Sequence, residues 1–214
     1  MKVTLLLAHA DDESLGVGGT VPYLIARGAE VQLVVVSDGV VGLRDGQPDN
    51  RPALEAACAV LGIRTYTCLG IPDQRFETVP VGEIARAAGK VLGAPDLIIS
   101  HAHTDLNRDH RITLEVARIL ARPRGQQVGL LGCEIPCVSA WNQQPFQPQL
   151  YIDIEPWLET KLRAFGCYVH EGRTFPDPYS PEGLRILAQH RGMESGLAAA
   201  EGFVVYRWYG GMLS

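Results

Sequence analysis

The sequence lacks several features that would direct the reading elsewhere. No apolar run approaches the roughly 20 residues that cross a bilayer, and the run after Met1-Lys2-Val3-Thr4 is too short for a signal peptide or a span. The formal net charge is −5 and no run of Lys and Arg stands out, which argues against nucleic acid or an anionic membrane as a partner. Five cysteines, Cys58, Cys68, Cys133, Cys137 and Cys167, contain no C-x-x-C pair and are odd in number, which argues against a disulfide framework or a Cys-type zinc finger. Cys133 and Cys137, four apart on a strand-like segment, read as small buried hydrophobes. No linker, internal repeat or low-complexity segment divides the chain. Its 214 residues therefore read as one domain spanning 1–214, in a soluble, cytoplasmic protein. The 46% hydrophobic and 20% charged content is that of an ordinary globular chain, so no unusual class is called for.

What is present is an alternation of short apolar runs with amphipathic stretches. Strands are expected at 3–8, 31–36, 65–69, 96–100, 128–135, 150–154 and 203–208, and helices at 16–27, 51–61, 81–92, 111–120, 155–170 and 181–198. Residues 40–50 and 136–148 read as loops. This order predicts an α/β protein with a mostly parallel central sheet covered on both faces.

Two of these strands end in unusual chemistry. Leu5-Leu6-Leu7-Ala8 runs into His9-Ala10-Asp11-Asp12-Glu13, and acids cannot follow a strand into a core unless paired or bound to a metal. Leu97-Ile98-Ile99 runs into a segment from Ser100 to Arg111 that carries His101, His103, Asp105, Asn107, Asp109 and His110. The carboxyl ends of strands are where open α/β sheets bind ligands. A catalytic zinc takes three protein ligands of imidazole and carboxylate type and keeps one position open. His9 and Asp12, three apart on a tight turn, suit one ion, with His110 a further candidate. Asp11 then points elsewhere, free to act as a base. Asn107 and Asp109 flank His110, where a carboxylate can orient a neighbouring group. Arg51, at a helix start, is either a solvated charge or a contact to a substrate hydroxyl or phosphate. His103 reads as a loop residue, and His170 and His190 as surface or packed residues. A dinucleotide loop at Gly16-Val17-Gly18-Gly19 with Asp38 is disfavoured, because three acids precede the glycines and would repel a pyrophosphate.

These residues resemble a known family. His9-Ala10-Asp11-Asp12-Glu13 is similar to the A-H-P-D-D-E signature of the LmbE-like, or PIG-L, zinc-dependent N-deacetylases, and Asn107-Arg108-Asp109-His110-Arg111 to the family's second signature, H-P-D-H-R. Leu15-Gly16-Val17-Gly18-Gly19-Thr20, Ser37-Asp38-Gly39 and Ala200-Glu201-Gly202-Phe203 extend the likeness over nearly the whole chain. The resemblance implies a Rossmann-like three-layer sandwich and a zinc held by His9, Asp12 and His110, with Fe2+ or Mn2+ as other divalent choices. It implies Asp11 as general base, Asp109 as a carboxylate behind the ligands, and Arg51 as a substrate contact. Two departures stand out. Ala10 replaces a proline, and Asn107 replaces a histidine that handles the oxyanion or protons in the family. Asn107 can donate a hydrogen bond but cannot carry a proton, and no oxyanion tyrosine is evident.

The expected reaction is metal-assisted amide hydrolysis. Zinc lowers the pKa of its water to roughly 7, Asp11 takes the proton and returns it to the departing amine, and Asn107 helps hold the oxyanion. The expected partner is an N-acetylated sugar or nucleotide sugar, approached by polar loops around Gln74, Arg75, Trp141 and Asn142, in a protein that is a candidate homo-oligomer. Two readings compete: a zinc amidase acting on another amide such as a sugar–thiol conjugate, and a non-catalytic sugar- or nucleotide-binding module. An amine-release panel separates the first, and metal-independent ligand binding the second.

Overall fold

The computed structural model describes residues 1–42, 46 and 48–210; positions 43–45 and 47, within the expected loop at 40–50, lie outside the described residues. Seven strands form one sheet: β1 (Lys2–Leu7), β2 (Glu30–Ser37), β3 (Thr65–Ile71), β4 (Leu97–His101), β5 (Gly129–Cys133), β6 (Leu150–Asp153) and β7 (Ala200–Arg207). Their order is β3-β2-β1-β4-β5-β7-β6. The five strands from β3 to β5 are parallel, and β7 runs antiparallel between β5 and β6. The chain winds outward from β1 to β3, then returns to build β4 and β5 on the other side of β1. The carboxyl ends of β1 and β4 thus flank the reversal point where such sheets open a crevice.

The helices are α1 (Asp12–Val17), α2 (Thr20–Ala26), α3 (Arg51–Leu61), α4 (Val81–Val91), α5 (Arg108–Leu120), α6 (Val138–Trp141), α7 (Leu158–Phe165) and α8 (Pro181–Ser195). Successive side chains of β1 serve opposite faces, as a strand's period of two requires. Leu5 and Leu7 pack with Leu15, Leu24, Leu54 and Phe165, while Leu6 and Ala8 pack with Phe76, Ile84 and Val116. Leu5, Leu6 and Leu7 have no solvent exposure, and burying a side chain of this size contributes about 1.5–3 kcal/mol. That anchoring makes the turn after β1 a rigid platform.

Several boundaries differ from the sequence reading, each for a local reason. The helix expected at 16–27 starts at Asp12 and breaks into α1 and α2 at Gly18-Gly19. A Cβ on Gly19 would lie 2.5 Å from Ile154 Cβ, so close backbone approach sets this break. Buried Lys161 fixes it: Nζ donates to Leu15 O at 2.7 Å and to Glu201 Oε1 at 2.5 Å, and Glu201 accepts the Gly19 and Thr20 amides. The helix expected from 111 starts at Arg108, capped by Asn107, whose side chain accepts from the Asp109 amide. The helix expected at 155–170 is a 3-10 turn (Glu155–Trp157) followed by α7, and Val169 lies beyond it, 75% exposed. The loop at 136–148 contains the short α6, and β7 starts at Ala200 instead of Phe203. Cys133 is buried as expected, but Cys137 is exposed, because β5 ends at Cys133 and Cys137 lies in the turn just ahead of α6. No helix among the described residues is long and apolar enough to cross a membrane.

Candidate metal centre and active site

His9 lies two residues past β1, Asp12 opens α1, and His110 sits in the first turn of α5. One ligand atom from each of the three falls within 4.8 Å of the others. His9 Nδ1 is 3.1 Å from His110 Nε2. Asp12 lies 3.4 Å from His110 Nε2 through Oδ1 and 3.7 Å from His9 Nδ1 through Oδ2. Asp12 Oδ2 also accepts the His9 amide at 2.7 Å, which turns the carboxylate back toward the strand end.

The outer nitrogens of both rings are engaged by carboxylates. His110 Nδ1 is 2.8 Å from Asp105 Oδ2. His9 Nε2 is 3.0 Å from Asp73 Oδ1 and 3.2 Å from Asp109 Oδ2. With their protons assigned to those outer nitrogens, His9 Nδ1 and His110 Nε2 present two lone pairs to one another beside a carboxylate. Such an arrangement repels itself until a proton or a cation lies between, and imidazoles backed by carboxylates are the usual form of a metal-ligating histidine. The donor set therefore fits a divalent cation of zinc type. Asp109 backs His9, across the site, whereas the carboxylate behind its sequence neighbour His110 is Asp105.

The electrostatics follow from crowding. Burial opposes an imidazolium at His9, yet the hydrogen bonds to Asp109 and Asp73 and the charge of Asp12 carry its pKa well above the ordinary value. Burial likewise opposes charge on His110, and Asp105 and Asp12 outweigh it, raising that pKa too. Burial would raise Asp12, but the neighbouring His110 and His101 hold it far below the usual carboxylate range. Burial, then Asp12 and Glu171, push Asp11 well above that range. Adjacent aspartates are thus driven in opposite directions, a pattern that marks distinct roles in acid–base sites.

These residues border a cavity of about 150 Å³ lined by His9, Asp11, Asp12, Asn107 and His110 and also by Asp73, Gln74, Glu171 and Tyr179. A larger cavity of about 810 Å³ opens at the amino-terminal end of the sheet beside Lys2, Glu30 and Arg64. None of the metal-capable groups found among the described residues borders it, so size alone misdirects.

Asn107 uses its side-chain oxygen to cap α5, which leaves the amide nitrogen as the donor it can offer. Arg51 is not among the cavity residues. Its side chain is 60% exposed and its guanidinium is held by Asp49 at 2.8–2.9 Å. Of the polar loop residues, Gln74 borders the cavity; Asn142 donates to Thr104 O, and Trp141 is 56% exposed away from the cavity wall. His103 is exposed and pairs with the Tyr206 hydroxyl.

Several residues near the centre were given no individual role in the sequence reading. Asp73 and Asp105 back the imidazoles. His101, fully buried, stacks on His110 at 4.0 Å between ring centroids, accepts the Ala8 amide at Nε2, and leaves Nδ1 without a hydrogen-bond partner among the described residues. Tyr179 borders the cavity, and burial together with Asp11, Asp12 and Asp105 keeps its phenol protonated far into the alkaline range. Asp105 stood two residues ahead of the second signature, and an acid five before a ligand histidine was a usable signal; Asp73 stood in the polar loop beside Gln74 but no spacing tied it to His9, and Tyr179 gave no signal.

Comparison with known proteins agrees with this picture. The diacetylchitobiose deacetylase of Thermococcus kodakarensis is 26% identical over 225 residues, covering 94% of this chain and 81% of that protein. The N,N'-diacetylchitobiose deacetylase of Pyrococcus horikoshii, solved with an inhibitor, has a TM-score of 0.73 at 23% identity, covering 99% of this chain and 87% of that one. The 4-carboxy-2-hydroxymuconate hydratase GalB of Pseudomonas putida KT2440 has a TM-score of 0.74 at 20% identity over 98% of each chain. A deacetylase and a hydratase therefore share this fold, and fold likeness does not choose between their reactions. The model of the family described as PIG-L, GlcNAc-PI de-N-acetylase, matches residues 4–121, more than half of the sequence, and the chain belongs to that family.

Proposed function

We propose that the protein is a zinc-dependent N-deacetylase that hydrolyses the acetamide of an N-acetylated amino sugar or nucleotide sugar. The observation that carries this reading is the facing pair, His9 Nδ1 and His110 Nε2, 3.1 Å apart beside Asp12 in the wall of a cavity that also presents Asp11. Family membership and the deacetylase relatives support the reaction class. His9, Asp12 and His110 would hold the cation; Fe2+ and Mn2+ suit the same donors. When bound, the cation supplies Lewis acidity, which acidifies a water and polarises the amide carbonyl.

The chain's own residues do the rest. Asp11, with its raised pKa, accepts a proton from the attacking water and later delivers it to the amide nitrogen, so that the C–N bond breaks to acetate and a free amine. The Asn107 amide and the Tyr179 hydroxyl belong to residues that line the cavity and are neutral donors suited to receive negative charge on the carbonyl oxygen. Asp73, Asp109 and Asp105 orient the two imidazoles. A cavity of about 150 Å³ is small beside the roughly 300–1,000 Å³ of ligand clefts. It suits the acetamido arm and part of one ring, with the rest of the substrate outside. Cys58, Cys68, Cys133, Cys137 and Cys167 are all free thiols, which fits a reducing compartment such as the cytoplasm.

The test is a panel of N-acetyl amino sugars, nucleotide sugars and acyl sugar–thiol conjugates given to zinc-loaded protein, with acetate and amine both measured. Equal release of the two from an N-acetyl sugar is expected. Amine release confined to other amides points to the amidase reading, and sugar binding without any release to a binding module.

A further inference from the structure

Asp11, the residue before α1, has φ 137° and ψ −26°, a conformation that only glycine occupies readily. Such a backbone persists only where its surroundings over-determine it. Here the surroundings are specific. The Asp11 amide donates to Glu13 Oε2 at 3.1 Å, and the Asp11 carbonyl accepts the Ser14 and Leu15 amides at 2.9 Å each. Glu13 Oε1 accepts the Ser14 hydroxyl at 2.7 Å and the Tyr168 hydroxyl at 2.8 Å. Glu13 and Ser14 have no exposure, and Tyr168, which follows α7, is 1% exposed.

Helices are ordinarily capped by the side chain of the residue ahead of them. Asp11 makes no such bond; the acid at the second helical position reaches back to the Asp11 amide instead. The Asp11 carboxylate is thereby not spent on the helix end, and Asp11 lines the cavity. A third buried acid beside Asp11 and Asp12 is electrostatically unfavourable, and it is tolerated because Glu13 accepts three hydrogen bonds.

We infer that Glu13 and Tyr168 are positioning residues: the carboxylate, anchored by the phenol, locks the Asp11 backbone so that consecutive aspartates face different ways. Asp12 then meets the two imidazoles and Asp11 the reacting amide. The inference rests on the reading of Asp11 as proton carrier.

Zinc-loaded Tyr168→Phe, Glu13→Gln and Asp11→Asn proteins test it, together with the Asp11→Asn, Tyr168→Phe double variant. Tyr168→Phe removes one donor and leaves the carboxylate, so it is the variant expected to fold. Its kcat falls about tenfold or more, with KM within about twofold and one zinc per chain retained. The Asp11 amide proton exchanges at least about tenfold faster by NMR, while β1 and β4 amides exchange as in the parent. In the Asp11→Asn background, Tyr168→Phe brings no further loss, because both changes act through one group. Parental kcat in Tyr168→Phe, an unchanged Asp11 amide, or the same fractional loss in both backgrounds overturns the inference. Parental turnover in Asp11→Asn alone would instead remove the proton-carrier reading, and the amide exchange would still report on the lock.

Discussion

Asp105 Oδ2 lies 2.8 Å from His110 Nδ1, and the pair is buried beneath the candidate metal centre. That contact fixes the ring and its proton, so that Nε2 faces His9 and Asp12. Replacing Asp105 with Asn keeps the shape but loses the charge-assisted bond. The expected outcome is a 10- to 100-fold weaker zinc affinity, of the size typical for such partners, measured by competition with a chromogenic chelator. Unchanged affinity would mean that the ring is held by packing alone.

Asp11→Asn should retain one zinc per chain and lose turnover by about 100-fold or more. Metal content by mass spectrometry and acetate release together check this. Persistent turnover would place the proton carrier elsewhere.

Tyr179→Phe removes a neutral donor from the cavity wall. If the hydroxyl meets the developing oxyanion, kcat falls about 100-fold while KM for the N-acetyl sugar changes little. A rise in KM at constant kcat would make Tyr179 a ground-state contact instead.

The sign of the pH dependence follows from the raised pKa values of His9 and His110. Both rings carry extra proton affinity in the metal-free protein, and a cation must displace those protons. Zinc binding therefore releases protons and weakens as pH falls toward and below about 6.5, the ordinary histidine value. In the metal-free protein the linkage has the opposite sense. A raised folded-state pKa contributes stability that is present below the unfolded value and is lost as pH rises through the folded one. Metal-free Tm should thus decline as pH rises from about 6.5, while the Tm gain on adding zinc grows. Calorimetry across pH 6 to 8.5 measures both; a zinc-induced gain that shrinks with rising pH contradicts the ligand assignment.

Much of the centre was legible because its information is local. His9 and Asp12 share one tight turn after an apolar strand, and His110 sits in a second short segment of the same kind. The fold class followed from alternating periodicities, and the five parallel strands formed where apolar runs lay. The helix break at Gly19 was hidden because its cause, Ile154, is distant in sequence. Asp73 reaches His9 from another loop, and Tyr168 reaches Glu13 across the fold. Long-range pairs of this kind leave no periodic trace in one sequence. The start of α5 was missed although Asn107 is a good helix cap, because a cluster of His and Asp reads first as loop chemistry. At Arg51 the helix start was plain, but the ion pair with Asp49 that occupies its guanidinium was not.

Accessibility also separates the thiols. Cys137 is exposed, whereas Cys58 and Cys133 are buried. Iodoacetamide at mild alkaline pH should label Cys137 first and reach Cys58 and Cys133 only on unfolding. Peptide mapping after timed labelling checks the order; early labelling of Cys133 would contradict its full burial in β5.

The most direct measurement is anomalous diffraction at the zinc edge from crystals of the zinc-loaded protein. A single peak per chain is predicted, bonded to His9 Nδ1, an Asp12 oxygen and His110 Nε2 at about 2.0–2.2 Å. An empty cluster at full zinc loading, or a peak bound elsewhere, would contradict the account.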